Sequence, residues 1–123
     1  MARILVAEDD IPVRAFIRRT LEARGHEVTV VGDGAEAILR LSRHSYDLLL
    51  ADIVMPNMDG VELALKVARD WPDLPLLLMS GYAIQRQRGH GLGDLAKAVL
   101  QKPFTMVELN HAVEQVLRSR EPA

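Results

Sequence analysis

Five short aliphatic runs divide this chain: Arg3–Ala7, Val28–Val31, Asp47–Asp52, Leu76–Met79 and Ala98–Leu100. Runs this short, rich in Leu, Ile and Val and bounded by breakers, read as buried strands. Between them lie stretches with apolar residues three and four apart, the spacing of one helix face. Asp10 can cap a helix running through Arg14, Phe16, Ile17 and Leu21, with Gly25 just past its end. After the Gly32-Asp33-Gly34 turn, Ala35–Ser42 is predicted helical with Ala37, Ile38 and Leu41 inward. Met55–Gly60 is a loop in which Asp59-Gly60 is turn and cap chemistry. Val61–Trp71 is a helix with Val61, Leu65 and Ala68 inward, bracketed at its exit by Pro72 and Pro75. A last helix begins near Thr105 and carries Val107, Leu109, Ala112, Val113, Val116 and Leu117.

Strand and helix alternating five times is the pattern of a parallel sheet covered on both faces. The predicted fold is α/β: a (βα)5, flavodoxin-like three-layer sandwich whose five-stranded parallel sheet runs 2-1-3-4-5. Length allows one domain over residues 1–123. Aromatics are only 4% of residues, so its core must be aliphatic. Tyr82–Lys97 breaks the alternation. It stands where a helix should, yet Gly89, Gly91 and Gly93 fall together, each costing a helix ~1 kcal/mol relative to alanine. A short or irregular element is expected there.

Net charge of -2 gives no electrostatic case for nucleic acid or membrane partners. The absence of cysteine excludes disulfides and thiolate metal sites. No apolar run approaches a signal peptide's core or a membrane span, so a cytoplasmic location is expected.

The chemistry collects at strand ends, the edge where open α/β sheets bind ligands. Strand one ends at Glu8 and Asp9, strand three at Asp52, strand four at Ser80 and strand five at Lys102. With strand one central in a parallel sheet, these ends lie side by side and three carboxylates converge within a few ångströms. Such a cluster repels itself unless a cation balances it. Magnesium fits best, since it takes one or two carboxylates and a phosphate oxygen while keeping waters. Lys102 adds a compact positive charge and Ser80 a hydroxyl. A site so built suits transfer of a phosphoryl group onto Asp52 as an acyl phosphate. His26, His44, His90 and His111 are scattered away from these ends and read as surface residues.

The sequence resembles the receiver domain of two-component response regulators. The resemblance is carried by Ile4-Leu5-Val6-Ala7-Glu8-Asp9-Asp10 with Arg14, by Asp47 through Gly60, by Met79-Ser80-Gly81, and by Lys102-Pro103-Phe104, in order and along essentially the whole chain. It implies that Asp52 accepts phosphate from a histidine kinase or a histidine phosphotransfer protein, with Mg2+ held by Asp9 directly, by Glu8 through water, by Asp52, and by the Val54 backbone carbonyl. It implies that Ser80 turns toward the phosphate, that Lys102 pairs with it, and that the Lys102-Pro103 bond is cis. It further implies output through protein contact, on the face made by the Tyr82–Lys97 segment, the fifth strand and the last helix. The chain is then expected to be a monomer or weak dimer with no output domain, and not an enzyme beyond its own phosphorylation and dephosphorylation. Lone receivers of this kind serve as motor-binding chemotaxis proteins, phosphorelay intermediates or adaptors for proteolysis.

Three positions depart from the family pattern. Val99 stands where receivers usually place the Tyr or Phe that reports phosphorylation, so the Tyr82–Lys97 segment is the expected reporter instead. Val54 and Tyr82, at two positions that tune hydrolysis, offer no acid or amide to orient water, so a long-lived acyl phosphate is expected. The alternatives are a phosphorylation-independent pseudo-receiver or adaptor, an aspartate-nucleophile phosphatase and a flavodoxin-like cofactor binder. The phosphatase would need an acid where Val54 stands. The cofactor binder would need a phosphate-cradling loop where Glu8-Asp9-Asp10 stands.

Overall fold

The computed structural model describes residues 1–81 and 98–119. Strands β1 (Arg3–Ala7), β2 (Glu27–Val31), β3 (Leu48–Asp52), β4 (Leu76–Ser80) and β5 (Ala98–Gln101) form one parallel sheet in the order β2-β1-β3-β4-β5. The predicted order is the observed one. The middle strand, however, is β3 rather than the first, which places Asp52 at the centre of the sheet's carboxyl edge. Four described helices cover the sheet: α1 (Ile11–Glu22), α2 (Gly34–Leu41), α3 (Gly60–Asp70) and α4 (Met106–Ser119). The segment predicted as irregular, Tyr82–Lys97, lies outside the described residues.

The strands are apolar without interruption because both faces are buried. Side chains alternate across a strand. Leu5, Ala7, Leu49, Ala51, Leu76 and Leu78 therefore pack with Ala37 and Leu41 of α2 and Leu63, Ala64 and Val67 of α3. Their neighbours Ile4, Val6, Leu48, Leu50, Leu77 and Met79 pack with Ile17 and Leu21 of α1 and Leu109, Val113 and Val116 of α4. Each fully buried Leu or Ile contributes about 2 kcal/mol. An exposed pair such as Arg18–Glu22 (3.3 Å) contributes a few tenths at most. The leucine-rich sheet, not the surface charge, carries the fold.

Caps set the helix starts. Asp10 accepts from the Val13 amide (3.4 Å), and Asp59 accepts from those of Val61 and Glu62 (both 3.0 Å). Thr105 and Glu108 cap α4 reciprocally, each side chain accepting from the other's amide (3.1 and 2.9 Å). Gly25, at φ 89°, closes the exit from α1.

Two inward faces differ from expectation. In α3 the buried residues are Leu63, Ala64 and Val67, while Leu65 is 56% exposed. The helix carries two overlapping apolar stripes, and Gly60 selects between them. Its amide donates to the Ile53 carbonyl (2.8 Å), and a Cβ there would collide with the Asp52 carbonyl. The glycine face thus lies against β3, and the residues sharing it follow inward. In α4, Val107 lies in the first turn beside the cap and is 77% exposed.

Candidate functional site

At the end of β1 the chain passes from a buried strand into the α1 cap through Glu8, Asp9 and Asp10. Glu8 is fully buried, whereas Asp9 and Asp10 are exposed. Asp10, not Asp9, caps the helix, which leaves the Asp9 carboxylate for the site. Asp52, ending β3, is 6% exposed. One carboxylate oxygen from each of Glu8, Asp9 and Asp52 falls within a set whose members lie no more than 4.8 Å apart. The convergence read from the strand ends is therefore present.

Lys102 joins it from β5. The register brings Ser80 opposite Gln101, and the Lys102 amide donates to the Ser80 carbonyl (2.8 Å). The side chain then reaches between two carboxylates: Nζ donates to Asp52 Oδ2 at 2.7 Å and to Glu8 Oε1 at 2.5 Å. The Lys102-Pro103 bond is cis, as the family resemblance implied.

Burial pushes the Glu8 carboxyl up from 4.5 to about 7. The hydrogen bond from Lys102 opposes this, and the nearby Asp52 charge adds to it. Burial alone would lower the Lys102 ammonium. Its hydrogen bonds to Asp52 and Glu8 outweigh that and hold it above the ordinary lysine value. The three groups behave as one unit, with two buried carboxylates sharing one cation.

The carboxylates fit a hard divalent ion: the donors are all oxygen, they come from adjacent strands, and one of them, Asp9, faces solvent. Val54 is 44% exposed, and its amide donates to Asp52 Oδ1 at 3.4 Å. Val54 lines the same cleft as Glu8, Asp9, Asp52 and Lys102, as does Gly81. Ser80 is fully buried at the end of β4, so the cleft wall at that strand is Gly81 rather than the serine expected there. The cleft has a volume of about 710 Å³, enough for a small ligand beyond an ion.

The opposite wall went unread in the sequence. Pro12, Val13 and Phe16 of α1 form it together with Phe104, the two phenyl rings in tilted contact with centroids 6.2 Å apart. Phe16 stands in the sequence among the apolar positions of the first helix, and nothing in that spacing marks it as a cleft residue. Of the histidines, His44 and His111 are exposed, but His26 is not simply a surface residue. It is half-buried, and its Nδ1 accepts from the Ala2 amide (3.1 Å), an acceptor role that spacing alone cannot reveal. His90 lies outside the described residues. Among those residues no helix is long and apolar enough to cross a membrane.

Comparison with known proteins agrees with the geometry. The response regulator receiver domain family matches residues 4–114. The response regulator receiver protein CpdR of Brucella abortus is 40% identical over 117 residues, covering 95% of this chain and 98% of CpdR. The response regulator MprA of Mycobacterium leprae is 35% identical over 120 residues. That match covers 98% of this chain but 53% of MprA, so the chain spans about half the length of that relative. Among solved structures, response regulator TrrA of Thermotoga maritima, in complex with Mg2+ and BeF, superposes with a TM-score of 0.86 at 28% identity. It covers 94% of this chain and 99% of TrrA.

Proposed function

The chain belongs to the response regulator receiver domain family, and on that premise we propose that Asp52 accepts a phosphoryl group from the phosphohistidine of a histidine kinase or histidine phosphotransfer protein. The phosphorylated form then signals by binding another protein. One observation carries this reading. Asp52 is a nearly buried carboxylate at the centre of the sheet edge, 2.7 Å from Lys102 Nζ and clustered with Glu8 and Asp9.

An Asp52 oxygen attacks phosphorus in line. The new O–P bond forms as the P–N bond breaks, and the departing imidazole takes a proton from water at the nitrogen it releases. A carboxylate needs no general base for this, which accords with a cleft that no described histidine lines. Glu8, Asp9, Asp52 and the Val54 carbonyl would hold Mg2+, which when bound supplies positive charge to the transferring oxygens. The all-oxygen donors support that metal, as does its presence in TrrA. Lys102 exchanges its Asp52 contact for a phosphoryl oxygen, and Ser80 donates its hydroxyl by turning toward the cleft.

The output surface includes β5 and α4; the Tyr82–Lys97 segment, also expected to take part, lies outside the described residues. Val99, Met106 and Val107 are exposed on β5 and α4. The match with CpdR, over 95% of this chain and 98% of that protein, supports reading residues 1–123 as one receiver domain. Its chemistry is confined to gaining and losing its own phosphoryl group. Neither nucleic acid nor membrane is a partner, in keeping with the net charge of -2.

The test is incubation with acetyl phosphate and Mg2+, read by intact mass. One phosphoryl adduct is expected, absent in Asp52→Ala. A wild-type protein that gains no adduct at any magnesium or donor concentration would instead be a phosphorylation-independent pseudo-receiver.

A further inference from the structure

Asp33 is a buried carboxylate that the phosphoryl-transfer chemistry does not use. It ends the turn after β2, and both of its oxygens are engaged. Oδ1 accepts from the Glu36 amide (2.8 Å), which caps α2. Oδ2 accepts from Asn57 Nδ2 (2.7 Å), twenty-four residues away in the loop between β3 and α3. These two amide donors hold the Asp33 carboxyl below the usual carboxylate range, so at neutral pH it is charged and a strong acceptor.

The loop it grips is the one that carries Val54. Its base is tied by the Gly60 amide on the Ile53 carbonyl (2.8 Å). Its tip is tied to the β2–α2 turn by Asn57 on Asp33 and by the Gly34 amide on the Met58 carbonyl (3.0 Å). Gly34 is needed for this approach, because a Cβ there would overlap the Met58 backbone and side chain. Asn57 itself sits at φ 65°, a left-handed conformation that a non-glycine residue keeps only where its surroundings hold it. Val54 lies between the two tethers.

We infer that Asp33 is a positioning residue for the metal-binding loop, acting through Asn57 to fix the backbone that presents the Val54 carbonyl. The inference rests on the reading of this site as a magnesium-dependent phosphoacceptor. It differs from a mere cap on α2, because a cap needs only Oδ1.

Asp33→Ser separates the two roles. Serine caps a helix about as well as aspartate, but it is too short to reach Asn57. Asn57→Gly removes the same bond from the other side while keeping a residue that tolerates positive φ. Ser42→Ala, which loses a hydroxyl donating to the Leu39 carbonyl (2.7 Å) at the far end of α2, is the control for helix stability. Mg2+ affinity is measured by calorimetry, and the Val54 and Met55 amide resonances by NMR, well below each variant's melting temperature.

Asp33→Ser and Asn57→Gly should each weaken Mg2+ binding by about tenfold, the low end of what losing a ligand-orienting partner costs. Both should shift the Val54 amide, and the double variant should be no worse than either single one. Adduct formation should be slow at low Mg2+ and recover at saturation. Wild-type affinity in either variant, or an equal loss in Ser42→Ala, overturns the inference, as does a wild-type protein that binds no Mg2+. A wild-type protein that binds Mg2+ yet forms no adduct removes the phosphoacceptor reading alone, because the affinities still decide the role of Asp33.

Discussion

The Lys102 ammonium stands 2.5 Å from the carboxylate of Glu8, a residue with no solvent exposure, and 2.7 Å from that of Asp52. One cation thus answers two buried anions, and the site's stability and its metal chemistry depend on the same three groups.

Glu8 makes the metal-free protein less stable as pH rises. Its folded value of about 7 lies above the 4.5 of the unfolded chain, so between these limits the folded state binds more protons. The Glu8 contribution to stability is then full below about pH 4.5 and is lost through pH 7, by at most about 3 kcal/mol. Urea denaturation in EDTA across this range should show the decline in wild type and a flatter profile in Glu8→Gln. Mg2+ binding, which requires the ionised carboxylate, should strengthen over the same window and release a proton, read by calorimetry in buffers of different ionisation enthalpy.

Removing the cation should cost far more than removing one anion. Lys102→Met leaves Glu8 and Asp52 buried against each other, and loss of a partner from a buried pair costs about 3–5 kcal/mol. The penalty should shrink at pH 5, where Glu8 takes up a proton. Asp52→Asn keeps the Glu8–Lys102 pair and removes the repulsion, so its effect on stability should stay below about 1 kcal/mol or be favourable. Equal losses in the two variants would contradict this account.

His26 gives a slope of opposite sign. Burial lowers its pKa from 6.5, with the N-terminal ammonium adding to the effect. The folded state prefers the neutral ring, whose Nδ1 accepts from the Ala2 amide at the start of the sheet. Its contribution is present above about pH 6.5 and is lost as pH falls below that. An NMR titration should place His26 lower in the folded protein than in the unfolded chain. His26→Gln should remove the acid-side slope that the histidine contributes.

The acyl phosphate should be long-lived. Val54 places an exposed isopropyl group beside Asp52, with no group to orient an attacking water. Intact mass after donor removal should show the adduct persisting for minutes or more, and Val54→Asn should shorten its life. Rapid loss from wild type, unchanged in Val54→Asn, would sink the idea. Tyr82, the other position expected to slow hydrolysis, lies outside the described residues.

Much of this molecule could be read directly from its residues. A strand buried on both faces must be apolar throughout, and a helix must repeat its apolar residues every three or four positions. The five runs and the helical stretches between them therefore specify a doubly covered parallel sheet. The strand-end carboxylates and Lys102 were legible for the same reason: a charge that interrupts a buried run has few places to go except the sheet edge. Local chemistry likewise located the caps at Asp10, Asp59 and Thr105.

What tertiary structure alone decided depends on contacts distant in sequence. The choice between two apolar stripes in α3 turned on Gly60 lying against β3. The burial of Ser80 and the opening of the cleft wall at Gly81 followed from where β4 ends against β5. The Phe16–Phe104 wall joins residues from opposite ends of the chain. The grip of Asp33 on Asn57 joins two loops that neither periodicity nor turn propensity relates. Local sequence sets which elements form and which of their ends carry charge. The pairing of those ends is set by close packing of the whole sheet, since only the packed chain brings such residues within hydrogen-bonding distance.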